Sequence, residues 1–246
     1  SLTAILLSAP QNARHRDARD ALVADLRRRQ LPTGGWGYVS RSRQAANLSS
    51  TTWAVGALRL SGVSVDDPDI VRARGFVERC QNHPGDGGFF HSPDIEDSNK
   101  AGSEGASPRS YGSMTADGAR ALARVGSSPE RLAAAQRWLE IHFDAERNPG
   151  AFPAQDEVRR ESAYYYWVWS AAHAMLGAGQ TGWERPLAQA LVRRQGADGT
   201  WRNGYTEMRE DDPVVATAFA MAALSVARYR ITGKWTARGS FLPTRP

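Results

Sequence analysis

Apolar and polar positions recur along this chain with a helical period, and the segments fall into two kinds. From about Arg16 to Gln30, Ala18, Leu22 and Leu26 share one stripe while Arg19, Arg27 and Arg28 stay largely off it, which predicts an amphipathic outer helix. From Leu48 to Leu58, apolar and small residues nearly encircle the segment behind the hydroxyls of Ser49, Ser50, Thr51 and Thr52, which predicts an inner helix with a capped start. The alternation continues. Asp67-Pro68 opens an outer helix to about Gln81, Arg109 to Gly126 is inner, Pro129 to Phe143 outer, the ring-rich Tyr164 to Met175 inner, Trp183 to Gln195 outer, and Asp211 to Leu224 inner. Four helical hairpins and almost no strand follow, an all-α reading.

A repeated turn punctuates the hairpins. Gln30 leads to Gly34-Gly35-Trp36, Gln81 to Gly87-Gly88-Phe89, and Gln195 to Asp198-Gly199-Thr200-Trp201, with a looser copy at Pro149-Gly150-Ala151-Phe152. The aromatic markers are 53, 63 and 49 residues apart, room each time for two helices and their connections. Glycine lets the backbone turn tightly and drop a large ring against neighbouring helix ends, so the turn reads as structural. One array is expected to span residues 1–246 as a single domain. Residues 91–109 interrupt it with a Ser-, Gly-, Pro- and charge-rich stretch, either a functional lid or a mobile insertion.

Composition narrows the chemistry. Of 31 basic residues only Lys100 and Lys234 are lysines, and the net charge is +5. No acidic residue follows Asp212, so residues 229–246 read as a basic tail, either solvated or touching an anionic surface. No helix-turn-helix or aromatic RNA-binding signature accompanies it, and specific nucleic-acid binding is not expected. Cys80 is the single cysteine, which excludes an intrachain disulfide and a cysteine-cluster metal site. No apolar run is read as approaching the roughly 20 residues of a membrane span, so a soluble chain is expected. It starts at Ser1 rather than Met, which fits sequence or a signal peptide lost upstream.

The alternating helices and Gln-x-x-x-Gly-Gly-Trp-like turns, over residues from about 18 to 227, resemble the terpenoid cyclase and protein prenyltransferase β-subunit superfamily. The run from Arg109 to Gly118 and the start at Asp212-Pro213-Val214-Val215 are most similar to bacterial prenyltransferase/squalene oxidase repeat proteins. The resemblance implies an α/α toroid of inner and outer helices around an aromatic cavity that takes an isoprenoid or other long apolar ligand. Four hairpins are fewer than the resemblance implies for a closed toroid, so the array is open, smaller or continued elsewhere. An open array would expose inner helices and favour a homodimer.

The resemblance also supplies two chemistries. Protein prenyltransferases hold zinc with Asp, Cys and His at inner-helix starts, but the segment from Asp211 to Phe219 has no Cys or His, so no metal or other cofactor is expected. Class II cyclases protonate an alkene with an Asp-x-Asp-Asp motif, which falls here on Arg209-Glu210-Asp211-Asp212, with arginine in the first place. Such an arginine favours the ionised carboxylate, the wrong direction for a proton donor. Asp211 is the first candidate acid and Asp212 a candidate that also suits an N-cap. Asp117, inside a small and apolar inner helix, is the second acid, with Glu161 a weaker third. Candidate ligand-lining residues are Trp53, Tyr111, Tyr164, Tyr165, Trp167, Trp169 and Phe219, with Arg209. A non-catalytic toroid that binds a lipid, peptide or protein partner is the alternative.

Overall fold

The expected hairpins form. The computed structural model describes residues 1–38, 45–95 and 98–234. Outer helices α2 (Arg16–Arg28), α4 (Pro68–Arg79), α6 (Pro129–His142) and α9 (Glu184–Arg194) alternate with inner helices α3 (Leu48–Leu60), α5 (Gly112–Val125), α8 (Tyr164–Gly177) and α10 (Pro213–Thr232). The inner helices pack side by side in the order α3, α5, α8, α10. Two short helices were not expected, α1 (Leu2–Leu7) against α2 and α3, and α7 (Glu157–Glu161) just ahead of α8. The fold is an α/α toroid laid out as an arc, with α1 beside α3 at one end and α10 at the other.

The caps are those that the sequence offers. Asn47 accepts the Ser50 N–H at α3, Asp67 the Asp69 N–H at α4, Ser128 the Arg131 N–H at α6, and Asp212 the Val214 N–H at α10. Pro68, Pro129 and Pro213 each take the first helical position, where a missing N–H costs nothing.

Three of the four Gly-aromatic turns are tied to the inner helix that follows. The aromatic N–H donates to a threonine Oγ1 in the first turns of the following inner helix: Trp36 to Thr51 at 2.9 Å, Phe89 to Thr115 at 3.0 Å, Trp201 to Thr217 at 3.0 Å. The indoles of Trp36 and Trp201 reach back to the Leu26 and Leu191 carbonyls on the preceding outer helix, at 2.7 and 2.8 Å. Gly34 adopts φ +93°, and a Cβ on Gly35 would stand 2.8 Å from the Phe76 ring, so the first glycine permits the turn and the second the close approach. The glutamines extend the clamp to the next hairpin. Gln30 donates to Gly34 O of its own turn and to Asp69 O of α4, and Gln81 to Gly87 O and to Arg131 O of α6.

The segment at 91–109 is tied down at several points. His91 O accepts the Leu48 N–H, Ser92 donates to Ala46 O, Asn99 donates to Gly102 O and Arg109 O, and Lys100 pairs with Glu207 at 2.5 Å. A small antiparallel hairpin, β1 (Ser103–Glu104) with β2 (Ser107–Pro108), lies within it. The basic stretch divides: residues 229–232 are the last turn of α10, where Arg230 pairs with Glu184 at 3.3 Å, and residues 235–246 lie outside the described residues.

Helix α10 corrects the expectation about apolar runs. At 20 residues it is, by length and composition, the one helix among the described residues that could cross a membrane. Arg228 and Arg230 hide this in the sequence by breaking its last turns. It packs against α8 and α9 as an inner helix and leaves Val214 75% and Met221 59% exposed on its far side.

The turn geometry makes a contrast that unfolding can read. Gln81 is buried and bridges two elements, whereas Gln195 is exposed and donates only within its own turn, to Gly199 O. Gln81→Ala is expected to lower stability by about 1–3 kcal/mol by leaving carbonyls unpaired, and Gln195→Ala by no more than about 0.5 kcal/mol, in urea titrations.

Candidate functional site

Helical periodicity selects what faces the concave side of the arc. On α8, Tyr166, Trp169, Ser170 and His173 fall on one face, as do Ser49, Thr52, Trp53 and Gly56 on α3, and Asp117, Arg120 and Arg124 on α5. Trp53, Asp117 and Trp169 each lie five residues past their helix starts and Phe219 six, so they form one level of the inner layer.

Asp117 is the centre of that level. It is fully buried, with Tyr166 Oη donating to Oδ2 at 2.6 Å and Ser170 Oγ to Oδ1 at 2.6 Å. Ser49 Oγ lies 2.7 Å from Tyr166 Oη and extends the chain of hydroxyls onto α3. Arg120 Nη1 donates to Ser170 at 3.0 Å and lies 3.4 Å from Asp117 Oδ1. Burial raises the Asp117 pKa, while the Arg120 charge and the two hydroxyl donors act against the rise.

Rings surround this carboxyl. Trp53 stacks on Trp169 with centroids 4.8 Å apart and planes 6° from parallel. Phe219 meets Trp169 at 5.3 Å and Tyr166 edge-on at 5.5 Å, and the Arg120 guanidinium lies over Trp169 at 4.4 Å. Tyr38, ahead of α3, is 64% exposed, and desolvation by the surrounding protein and then the Asp117 charge raise its pKa.

The other sequence candidates lie elsewhere. Asp211 is exposed on the turn before α10, and Asp212 is the α10 N-cap. Arg209 takes the left-handed φ of 60° on that turn, its side chain 76% exposed and 3.8 Å from Asp212. Tyr164 and Trp167 point away from the concave side, donating to Ala145 O and Asp144 O, and Tyr165 donates to Arg202 O. A run of consecutive rings must distribute around the helix, and only Tyr166 and Trp169 are on the inner face. Tyr111 is buried edge-on to Phe152. Glu161 is partly exposed at the end of α7.

Glu210 was quoted in the motif but not selected, and it is fully buried. It accepts the Tyr165 and Tyr166 N–H groups at 3.0 and 2.8 Å and the Asn203 amide at 2.7 Å, capping α8 from a distance. Burial pushes its pKa up to about 8 against the pull of those donors.

The squalene-hopene cyclase N-terminal domain family matches residues 2–81. Mouse and human lanosterol synthases are each 39% identical over 61 residues, which is 25% of this chain and 8% of those proteins. Among solved structures, a protein from Actinoplanes superposes with TM-score 0.61 at 20% identity, covering 91% of this chain and 63% of that one. An arginine-to-alanine variant of the type II terpene cyclase MstE from Scytonema, in complex with geranylgeranyl dihydroxybenzoate, gives TM-score 0.61 at 18% identity over 94% of this chain and 65% of that one. The chain thus spans less than two thirds of these solved relatives and a small fraction of the curated ones. The fold is an α/α toroid. It is similar to the fold of the type II terpene cyclase MstE, and residues 2–81 are similar to the squalene-hopene cyclase N-terminal domain.

Glu210 gives this site a pH signature. Its folded pKa of about 8 is above the usual 4.5, so the folded state holds a proton that the unfolded chain releases. Its contribution to stability is therefore full below pH 4.5 and is lost as pH rises toward 8. Glu210→Gln, which mimics the protonated acid, is expected to flatten that slope in urea titrations between pH 5 and 8. Glu210→Ala, which strips the α8 amides of their acceptor, is expected to cost about 1–3 kcal/mol throughout.

Proposed function

We propose that the protein binds an isoprenoid or similar polyene on the concave face of the arc and protonates it in the manner of a class II cyclase, with Asp117 as the proton donor. The observation that carries this is the fully buried Asp117 carboxyl, held by two hydroxyls at 2.6 Å and walled by Trp53, Tyr166, Trp169 and Phe219. Burial favours the neutral acid, the form a donor needs. The Asp117 O–H bond breaks, its proton takes the alkene π pair to form a C–H bond, and a carboxylate and a carbocation remain. Tyr166, Ser170 and Arg120 already point at the carboxylate, so its charge is met without reorganisation, and the ring faces stabilise the cation. A proton returns to Asp117 through the Ser49 and Tyr166 hydroxyls, 2.7 Å apart.

The variants of MstE support this reading. They exchange an aspartate and a tyrosine 48 positions apart, the former in complex with geranylgeranyl dihydroxybenzoate, while Asp117 and Tyr166 are 49 apart and hydrogen-bonded here. A second reading rests on Arg120, whose guanidinium 3.4 Å from Oδ1 favours ionised Asp117. The arc would then bind an apolar ligand without changing it.

Turnover decides between them. Incubation with geranylgeranyl diphosphate and other polyprenyl substrates, read by mass spectrometry, is expected to give cyclised isomers. Asp117→Asn is expected to reduce their formation at least 100-fold with the circular dichroism retained, and Tyr166→Phe about 10- to 100-fold. Wild-type rates in the Asp117→Asn variant would remove the acid assignment, and ligand binding without product in the wild type would establish the second reading.

A further inference from the structure

Below the Asp117 level, the concave face turns cationic. Arg120 and Arg124 follow Asp117 at i+3 and i+7, so all three lie on one face of α5, with Arg124 about 10 Å further along the helix axis. Arg120 is anchored by Ser170 and the face of Trp169. Arg124 has no hydrogen bond or ion pair among the described residues, and its guanidinium lies against α3 where Gly56 leaves room: a Cβ there would stand 3.2 Å from Nη1. His173, edge-on to Trp169, is the third basic group of this level. Burial and the two guanidinium charges depress its pKa to about 3, so it stays neutral. Burial and the Arg120 charge also lower the pKa of Arg124, to about 9, and Asp117 is the one acidic group that acts on it. Two guanidinium groups thus share one carboxyl, and none of that compensation remains when Asp117 is protonated.

This excess selects the ligand. An apolar molecule covering the rings of Trp53 and Trp169 would take water away from Arg120 and Arg124 and give nothing in return, which is costly for any buried cation. A molecule with an oxyanion at one end would supply the missing charge, and arginine forks match phosphate and carboxylate oxygens in pairs. We infer that Arg120 and Arg124 form a binding site for the anionic end group of an amphiphile whose apolar chain runs along the rings toward Asp117. The inference rests on the ligand-binding half of the proposed function, and it does not require that Asp117 transfer a proton.

Saturated probes keep the two questions apart, because a chain without double bonds offers nothing to protonate. Titration calorimetry would compare hexahydrofarnesyl diphosphate, the corresponding carboxylate and the corresponding alcohol. At least one anion is expected to bind tenfold or more tightly than the alcohol, and the stronger anion names the end group. Arg124→Gln is expected to remove that preference while alcohol binding stays within about twofold, and Arg124→Lys to restore part of it. Gly56→Ala, which crowds the guanidinium without altering any charge, is expected to weaken anion binding in a protein whose melting temperature is checked alongside. Equal affinity for anion and alcohol in the wild type, or an equal loss for both in Arg124→Gln, would overturn the inference and leave the Asp117 turnover result standing.

Discussion

The hydrogen bond from an aromatic residue's backbone N–H to a threonine hydroxyl on the next helix is the joint on which this architecture turns. It fixes the height at which each inner helix begins relative to the outer helix before it, because the same tryptophan ties its indole to a carbonyl of that outer helix. Repetition at Trp36, Phe89 and Trp201 sets α3, α5 and α10 at matching levels. Residues five or six places into each inner helix therefore meet at one height, and Trp53, Asp117, Trp169 and Phe219 do so. The site is thus a consequence of the turns, though no turn residue belongs to it.

Within the arc the dominant cost is that of buried charge. Asp117 is fully buried and the Arg120 side chain 10% exposed, so neither ionises as it would in water. The hydroxyls of Tyr166, Ser170 and Ser49 join α3, α5 and α8, and they give the carboxyl a fixed orientation. Glu210 serves the same end from the N-terminus of α8 by accepting the N–H groups of Tyr165 and Tyr166, which steadies the turn that carries the Tyr166 hydroxyl to Asp117.

The helices were legible in the sequence because their period, caps and turn residues all agree, and the class of fold followed. The candidate site was legible only in part. Asp117 could be found because a carboxylate in a small, apolar inner helix has few ways to reach water. Asp211 looked stronger by motif, but two residues ahead of a helix start the chain is still on an exposed turn, and sequence does not show how that turn faces. Tyr164 and Trp167 carried the same ring chemistry as Tyr166 and Trp169, and the period of the helix separates them once the inner face is known. Arg120 and Arg124 went unnoticed because arginine abounds in this chain and is ordinarily a surface residue. Their spacing of i+3 and i+7 from Asp117 on an inner helix was the available signal.

The arc does not have to close for these residues to meet. Asp117 and Arg120 come from α5, the hydroxyl and ring partners from α3 and α8, and Phe219 from α10, four inner helices that succeed one another. What an arc leaves unfinished is elsewhere. Gln30 and Gln81 each reach a carbonyl on the next outer helix, whereas Gln195 has only its own turn to bond, and α10 turns Val214 and Met221 to solvent. Both features follow from the same geometry, since a repeat that buries each inner helix between two neighbours leaves the last described one half covered. The stacking of Trp53 on Trp169 and the hydroxyl contacts of Asp117 involve α3, α5 and α8 alone, and so do not depend on whatever covers α10.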